Sequence, residues 1–171
     1  MKLKISRKAV VYIDWANVYG WQSTLKRRVD TAKLYKKLES YRKVKSIKFF
    51  FGREPESKES EKFLDTIKSQ GYELISKDVK HIVVKQIGDE VITMRKCDFD
   101  IEISMNVYED LDKGFETFIF FSGDGDFLPI YEYLIKRGKQ VIVVYQTGHL
   151  GKEISNIESG IYLVSAKDFG V

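Results

Sequence analysis

The sequence predicts an α/β fold of three layers, with helices on both faces of a mainly parallel central sheet. Two observations carry that prediction. Short runs of β-branched and aromatic residues alternate with segments of helical period, the pattern of βαβ units. Apolar runs also stop abruptly at Asp or Gly, as in "VVYIDW" and "IFFSGDGDF", where a buried strand meets a turn.

The elements follow in order. "RKAVVYID" (7–14) reads as a short buried strand. Asp30 caps a helix over 31–42 that turns Leu34, Leu38 and Tyr41 to one face. "VKSIKFFF" (44–51) is a second strand, followed by a polar loop from Gly52 to Glu56. A helix from Ser57 to Gln70 points Phe63, Leu64 and Ile67 inward and stops at Gly71. "YELIS" (72–76) is a strand. Residues 80–96 read as a β-hairpin insertion turning at Gly88-Asp89. A helix over 99–110, a strand over 116–121, a helix over 126–137 and the strand "KQVIVVY" (139–145) come next. A short helix near 150–157 and the strand "IYLVS" (161–165) complete the pattern.

At 171 residues, 43% hydrophobic and 13% aromatic, the chain is expected to form a single domain, 1–171, with a sizeable core. One cysteine, Cys97, excludes an internal disulfide framework and fits a reducing compartment. The N-terminal "MKLKISRKAVVYIDW" is positive, but its apolar stretch is too short for a secretory signal. No span approaches the ~18 apolar residues of a membrane helix. A soluble, cytoplasmic protein without membrane contact is expected.

The net charge of +4 is unevenly distributed. Residues 1–53 hold 15 Lys+Arg against three acids, and the remainder holds 14 against 22. The basic tracts are Lys26-Arg27-Arg28, Lys33/Lys36/Lys37 and Arg42-Lys43-Lys45-Lys48. They suit a phosphate backbone, or simply solvated helix faces.

Ligands of open parallel sheets bind at the carboxyl ends of the strands. Asp14 ends the first strand, Asp124 and Asp126 follow the strand over 116–121, and Asp98 and Asp100 open the helix after the hairpin. Carboxylates gathered there repel unless a cation sits among them. Hard oxygen ligands without a His/Cys cluster favour Mg²⁺ or Mn²⁺ over zinc. Each acid alone also fits a capping role. Asp124 and Asp126, however, cannot both cap one helix, and the glycines beside them permit a tight turn that aims both forward. Asn17 fits either an orienting amide or a local turn residue. His81 and His149 stand at unrelated places, and Cys97 has no partner histidine.

Three segments carry a family resemblance: "VVYIDWANV", "KCDFDIEISMN" and "FFSGDGDFLPIYEYLIKRGKQVIVV". In this order they resemble the NYN domain, the LabA-like branch of the PIN-like ribonuclease superfamily, over nearly the whole chain. The resemblance implies a three-layer α/β/α, PIN-like fold and metal-dependent cleavage of RNA. By motif, Asp14 and Asn17 match the family's first-strand Asp and Asn. Asp100 matches the acid opening the mid-chain helix, and Asp124 and Asp126 match the acids of the Ser122–Asp126 loop. Where the family often has a further Asp, this chain has Asn106, so the site is expected to lose a charge. Asp98, Asn106 and Ser122 are the additional site candidates.

The reading that results is hydrolysis of RNA phosphodiesters with one or two Mg²⁺ or Mn²⁺ ions held by Asp14, Asp100, Asp124 and Asp126. Asn17 would position the phosphate or the attacking water. Lys96 and Arg53 are the expected phosphate contacts. Single strands or structured loops are the expected target, with bases stacking on Trp15, Tyr19 and Trp21; core packing is the alternative for all three, and the favoured one for Trp15. The rival is a non-catalytic RNA-binding or regulatory module. Phosphatase chemistry would need an Asp-x-Asp after the first strand and a Toprim domain a glutamate there. "IDWAN" has neither. The hairpin tip reads either as a homodimer contact or as a grip on substrate.

Overall fold

A computed structural model of the chain describes residues 2–87 and 90–171. In chain order the elements are β1 (Ala9–Asp14), α1 (Trp15–Gly20), α2 (Gln22–Leu25), α3 (Thr31–Glu39), β2 (Val44–Arg53), α4 (Lys58–Ser69) and β3 (Glu73–Asp78). Next come β4 (Lys80–Ile87), β5 (Glu90–Lys96), α5 (Asp100–Asp112), β6 (Thr117–Phe121) and a 3-10 turn (Gly125–Phe127). The chain then runs through α6 (Leu128–Lys136), β7 (Gln140–Tyr145), α7 (Lys152–Ser155), β8 (Ile161–Ser165) and α8 (Ala166–Phe169).

Six strands form one parallel sheet in the order β3-β2-β1-β6-β7-β8. The chain builds outward from β1 to β3, crosses through α5, and resumes on the other side of β1 with β6. That reversal makes the β1/β6 seam the topological switch point, where open sheets of this kind bind ligands.

Alternation along the central strands feeds two cores. Val11, Ile13, Phe49, Ile119, Phe121 and Ile142 face Trp15, Val18 and Trp21 with Leu34, Leu38, Ile67 and Phe169. Val10, Tyr12, Phe50, Phe118, Phe120 and Val143 face Phe99, Ile103 and Val107 of the α5 side and Phe127, Ile130, Tyr131 and Leu134 of the α6 side. Helices therefore cover both faces, as the α/β prediction requires.

The local signals are physical. The Asp30 side chain accepts from the Lys33 amide to cap α3, and Ser57 accepts from the Ser60 amide to cap α4. Gly71 takes φ +100° just past α4, a left-handed position that an L side chain rarely adopts. Three expectations are corrected. β2 runs on through Gly52 and Arg53 because it keeps pairing with β3 there. The expected 126–137 helix begins as a 3-10 turn, and α6 starts one residue before Pro129, which needs no amide donor in a first turn. Lys48, grouped with the surface lysines by its neighbours, is buried. The short helices α2 and α8 were not anticipated. The hairpin forms as β4–β5, but its turn at Gly88-Asp89 lies outside the described residues. Among the described residues no helix is long and apolar enough to cross a membrane.

Candidate functional site

The switch point gathers the expected acids from three stretches of chain. Asp14 ends β1 and accepts the Asn17 amide at 3.4 Å, so it caps α1 as well as facing the edge. Across the seam, Ser122 is buried at the end of β6. Its hydroxyl donates to Asp14 Oδ2 at 3.4 Å and accepts the Asp124 amide at 3.2 Å. Asp124 in turn accepts the Asp126 amide at 3.0 Å and caps the 3-10 turn. Capping and site geometry are thus the same contacts: each cap fixes the direction of a carboxylate.

Asn17 holds the two loops together. Its Oδ1 accepts from Trp21 Nε1 at 2.9 Å and from the Gly123 amide at 3.1 Å. The glycines of the acidic loop are there for close approach rather than for a left-handed turn. A Cβ on Gly123 would overlap the His149 carbonyl oxygen, and Gly151 donates its amide to the Gly123 carbonyl at 2.7 Å. A Cβ on Gly125 would lie 2.7 Å from Glu153 Oε2, so α7 brings a further carboxylate to the loop. Glu153 was missed by sequence reasoning, because only the packing of the 146–151 loop over Gly123 brings it there.

Asp100 opens α5, partly buried. Burial, and then the charges of Asp124, Asp98 and Asp126, raise its pKa against a pull from Lys77. Asp14 is pushed up to about 6 by burial, with Asp124 and Asp100 adding to the rise and the Asn17 amide opposing it. Tyr131, fully buried beneath the acids, has its hydroxyl pKa raised by burial and by the charges of Asp124 and Asp14. Asp14, Asp100, Asp124 and Asp126 therefore share one electrostatic field. Among the described residues, no three His, Cys, Asp or Glu side chains stand close enough to hold an ion as they lie. Asp98 is exposed beside Asp100.

Asn106 is corrected as a site candidate. Its Oδ1 accepts from Lys48 Nζ at 2.8 Å and its Nδ2 donates to the Glu102 carbonyl, on the core-facing side of α5. The departure from the family pattern therefore falls in the lysine pocket, where Asp110 supplies the counter-charge at 2.6 Å. The stacking platform is corrected too. Trp15 is 8% exposed, its ring 5.0 Å from Phe49 and 5.6 Å from Phe63, and Trp21 is fully buried, so both belong to the core. Of the three aromatics only Tyr19, 54% exposed, presents a face.

The cations divide by topology. In a βαβ unit the helix starts at the carboxyl edge and returns to the amino edge. Lys26, Arg27 and Arg28, exposed ahead of α3, thus sit on the site's edge, and Arg42, Lys43 and Lys45 on the opposite one. Thr24 Oγ1 lies 2.8 Å from His149 Nε2, tying α2 to the loop packed on Gly123. Lys77, at the end of β3, reaches Glu102 at 2.5 Å and lies 4.7 Å over the Phe99 ring. Neither Lys77 nor the α2 tie was visible in the sequence. Arg53 is paired with Asp78, its β3 neighbour, at 2.7 Å, and Lys96 is exposed at the end of β5.

The NYN domain family model matches residues 8–163. The low amplitude and bright protein LabA of Synechococcus elongatus is 28% identical over 94 residues, 55% of this chain and 49% of that protein. The chain thus spans about half the length of that curated relative. A crystal structure of a Vibrio parahaemolyticus protein of unknown function superposes with TM-score 0.71 at 20% identity, covering 99% of this chain and 98% of that one, a likeness of fold.

Proposed function

The chain belongs to the NYN domain family, whose members are nuclease-like, and from that premise we propose that it is a divalent-metal-dependent ribonuclease acting on single-stranded or looped RNA. One observation carries the reading: Asp14, Asp100 and the Asp124 loop, from three separated segments, meet at the β1/β6 seam, where burial and then the Asp124 charge raise the pKa of both Asp14 and Asp100. A group of hard oxygens that repel one another is the donor set that suits Mg²⁺ or Mn²⁺. Asp14, Asp100 and Asp124 would hold the ion, with Asp126 as a further ligand or an orienter of the loop. When bound, such an ion supplies Lewis acidity, drawing charge from the phosphate and acidifying water.

The protein's own groups do the rest. Ser122 and Asn17 fix Asp14 and the Asp124 loop before substrate arrives, so little reorganisation is needed at the reacting phosphate. Lys26, Arg27, Arg28 and Lys77 line the same edge and would follow an RNA backbone, with Lys96 beyond them. Tyr19 would take a stacked base. Arg53 contributes only if it leaves Asp78.

The second reading, an RNA-binding module without catalysis, is favoured by the separation of the carboxylates. The test is cleavage of a labelled single-stranded RNA with Mn²⁺, with Mg²⁺ and with EDTA, beside an Asp124→Asn variant. Metal-dependent cleavage that vanishes in the variant is the expected result. If wild type and variant are both inert yet retain the RNA equally, the nuclease reading fails and the binding module replaces it.

A further inference from the structure

Two exposed apolar surfaces stand on the described chain, the second packed on its own fold only through Tyr108, whose ring meets Tyr133 edge-on at 4.9 Å. The first is the β4–β5 ribbon. Its strands pair antiparallel with each other, Ile82 opposite Met94 and Lys85 opposite Ile92, and join no other strand among the described residues. Isolated two-stranded ribbons are marginal in water and need a layer against their apolar side chains. Here Ile82, Val83, Val84, Ile92 and Met94 are all exposed. The ribbon's root is anchored, with His81 Nε2 at 2.9 Å and Arg95 Nε at 2.5 Å from the Glu54 carboxylate. The second surface is the outer face of α5. Ile101, Met105 and Tyr108 recur at i, i+4 and i+7, with Ile101 70% and Met105 59% exposed, while Ile103 and Val107 bury the inner face.

The two surfaces complement each other in charge. The ribbon presents exposed Lys80, Lys85 and Lys96, and the C-terminal half of α5 presents exposed Glu109 and Asp112, with no Lys or Arg within that helix. RNA suits neither. The α5 acids repel phosphate, and the ribbon's described apolar side chains are aliphatic and thioether groups without a ring for a base to stack on. One occupant fits both surfaces at once, this chain itself. We propose that the β4–β5 ribbon of one copy packs on the Ile101/Met105/Tyr108 stripe of a second copy, and reciprocally, forming a two-fold dimer. The stripe begins one residue after Asp100, so the second copy's ribbon borders the acidic edge of the sheet.

Analytical ultracentrifugation across micromolar concentrations tests this with three sets of protein. Wild type is expected to sediment at twice its 19.9 kDa. Met105→Glu and Ile92→Glu, both at exposed positions, should each raise the dimer dissociation constant about 100-fold, because each lost burial counts twice across the axis. Their circular dichroism should stay as wild type, while their thermal midpoints should lose the protein-concentration dependence that a wild-type dimer shows. The charge-reversed pairs Lys80→Glu/Lys85→Glu and Glu109→Lys/Asp112→Lys should each self-associate weakly and recover a dimer when mixed. A wild type that stays monomeric overturns the proposal. So does a dimer indifferent to both apolar variants, or a mixture no tighter than its components. A monomer whose retention of single-stranded RNA drops on Ile92→Glu assigns the ribbon to RNA and overturns it as well.

Discussion

Lys48 Nζ lies 2.6 Å from Asp110 Oδ2, an ion pair between β2 and α5 from which water is almost wholly excluded. The pair sits in a small polar island within the aromatic core. Tyr12 donates its hydroxyl to the same Asp110 oxygen at 2.7 Å, and Asn106 accepts the second Lys48 proton. Removing one partner strands a charge in the interior. Lys48→Met should therefore cost about 3–5 kcal/mol in urea unfolding, and Lys48→Met/Asp110→Leu substantially less. A double variant as unstable as the single one would mean that the stranded Asp110 charge is not what lowers stability.

Asp14 titrates in the folded protein near 6, above its ordinary value of 3.8. The folded state then holds a proton that the unfolded chain has released, so stability falls as pH rises from about 4 through 6. Asp14→Asn removes that loss. In metal-free buffer the variant should exceed wild type by about 3 kcal/mol at pH 7, and the gap should close below pH 4. Added Mn²⁺ should stabilise wild type and leave Asp14→Asn unmoved. Parallel thermal melts across pH, with and without the ion, give both answers.

The glycine loop predicts an asymmetry between two alanine substitutions. The Cβ of Gly123→Ala meets the His149 backbone carbonyl, which cannot yield without moving the 146–151 loop. That of Gly125→Ala meets only the end of the Glu153 side chain, which can rotate away. Gly123→Ala should lower stability by about 2 kcal/mol or more and Gly125→Ala by well under 1 kcal/mol. Equal effects would show that the loop tolerates displacement.

Trp15 and Tyr19, four residues apart on α1, should behave oppositely. Trp15→Ala removes a buried ring and should cost about 3–5 kcal/mol of stability. Tyr19→Ala should leave the melt unchanged and weaken single-strand RNA retention by about 1–3 kcal/mol. Thermal melts and a filter-retention titration, run on both variants, separate the roles.

Periodicity made much of this fold legible. The six sheet strands and the helices α3 to α6 are visible because alternating and helical apolar patterns persist over enough residues to be distinct. The acids were legible for a related reason, since Asp or Gly closing an apolar run marks the edge where a parallel sheet binds ligands. What escaped depends on contacts distant in sequence. Lys48 lies in a basic tract and looks solvated until α5 places Asp110 against it. Asn106 looked like a weakened ligand because its helix face cannot be fixed without the strand beneath. Lys77 and Glu153 reach the site from elements whose edge is set only by strand order, and α2 and α8 are too short to show a period.

The contact from Ser122 to Asp14 spans 108 residues. During synthesis, the stretch that holds Asp14 and Asp100 is made before the strand that delivers Asp124. β1 must wait with one flank bare until β6 is made. The acidic cluster is consequently a late product of synthesis, and a truncated chain ending before β6 has no such cluster to act with.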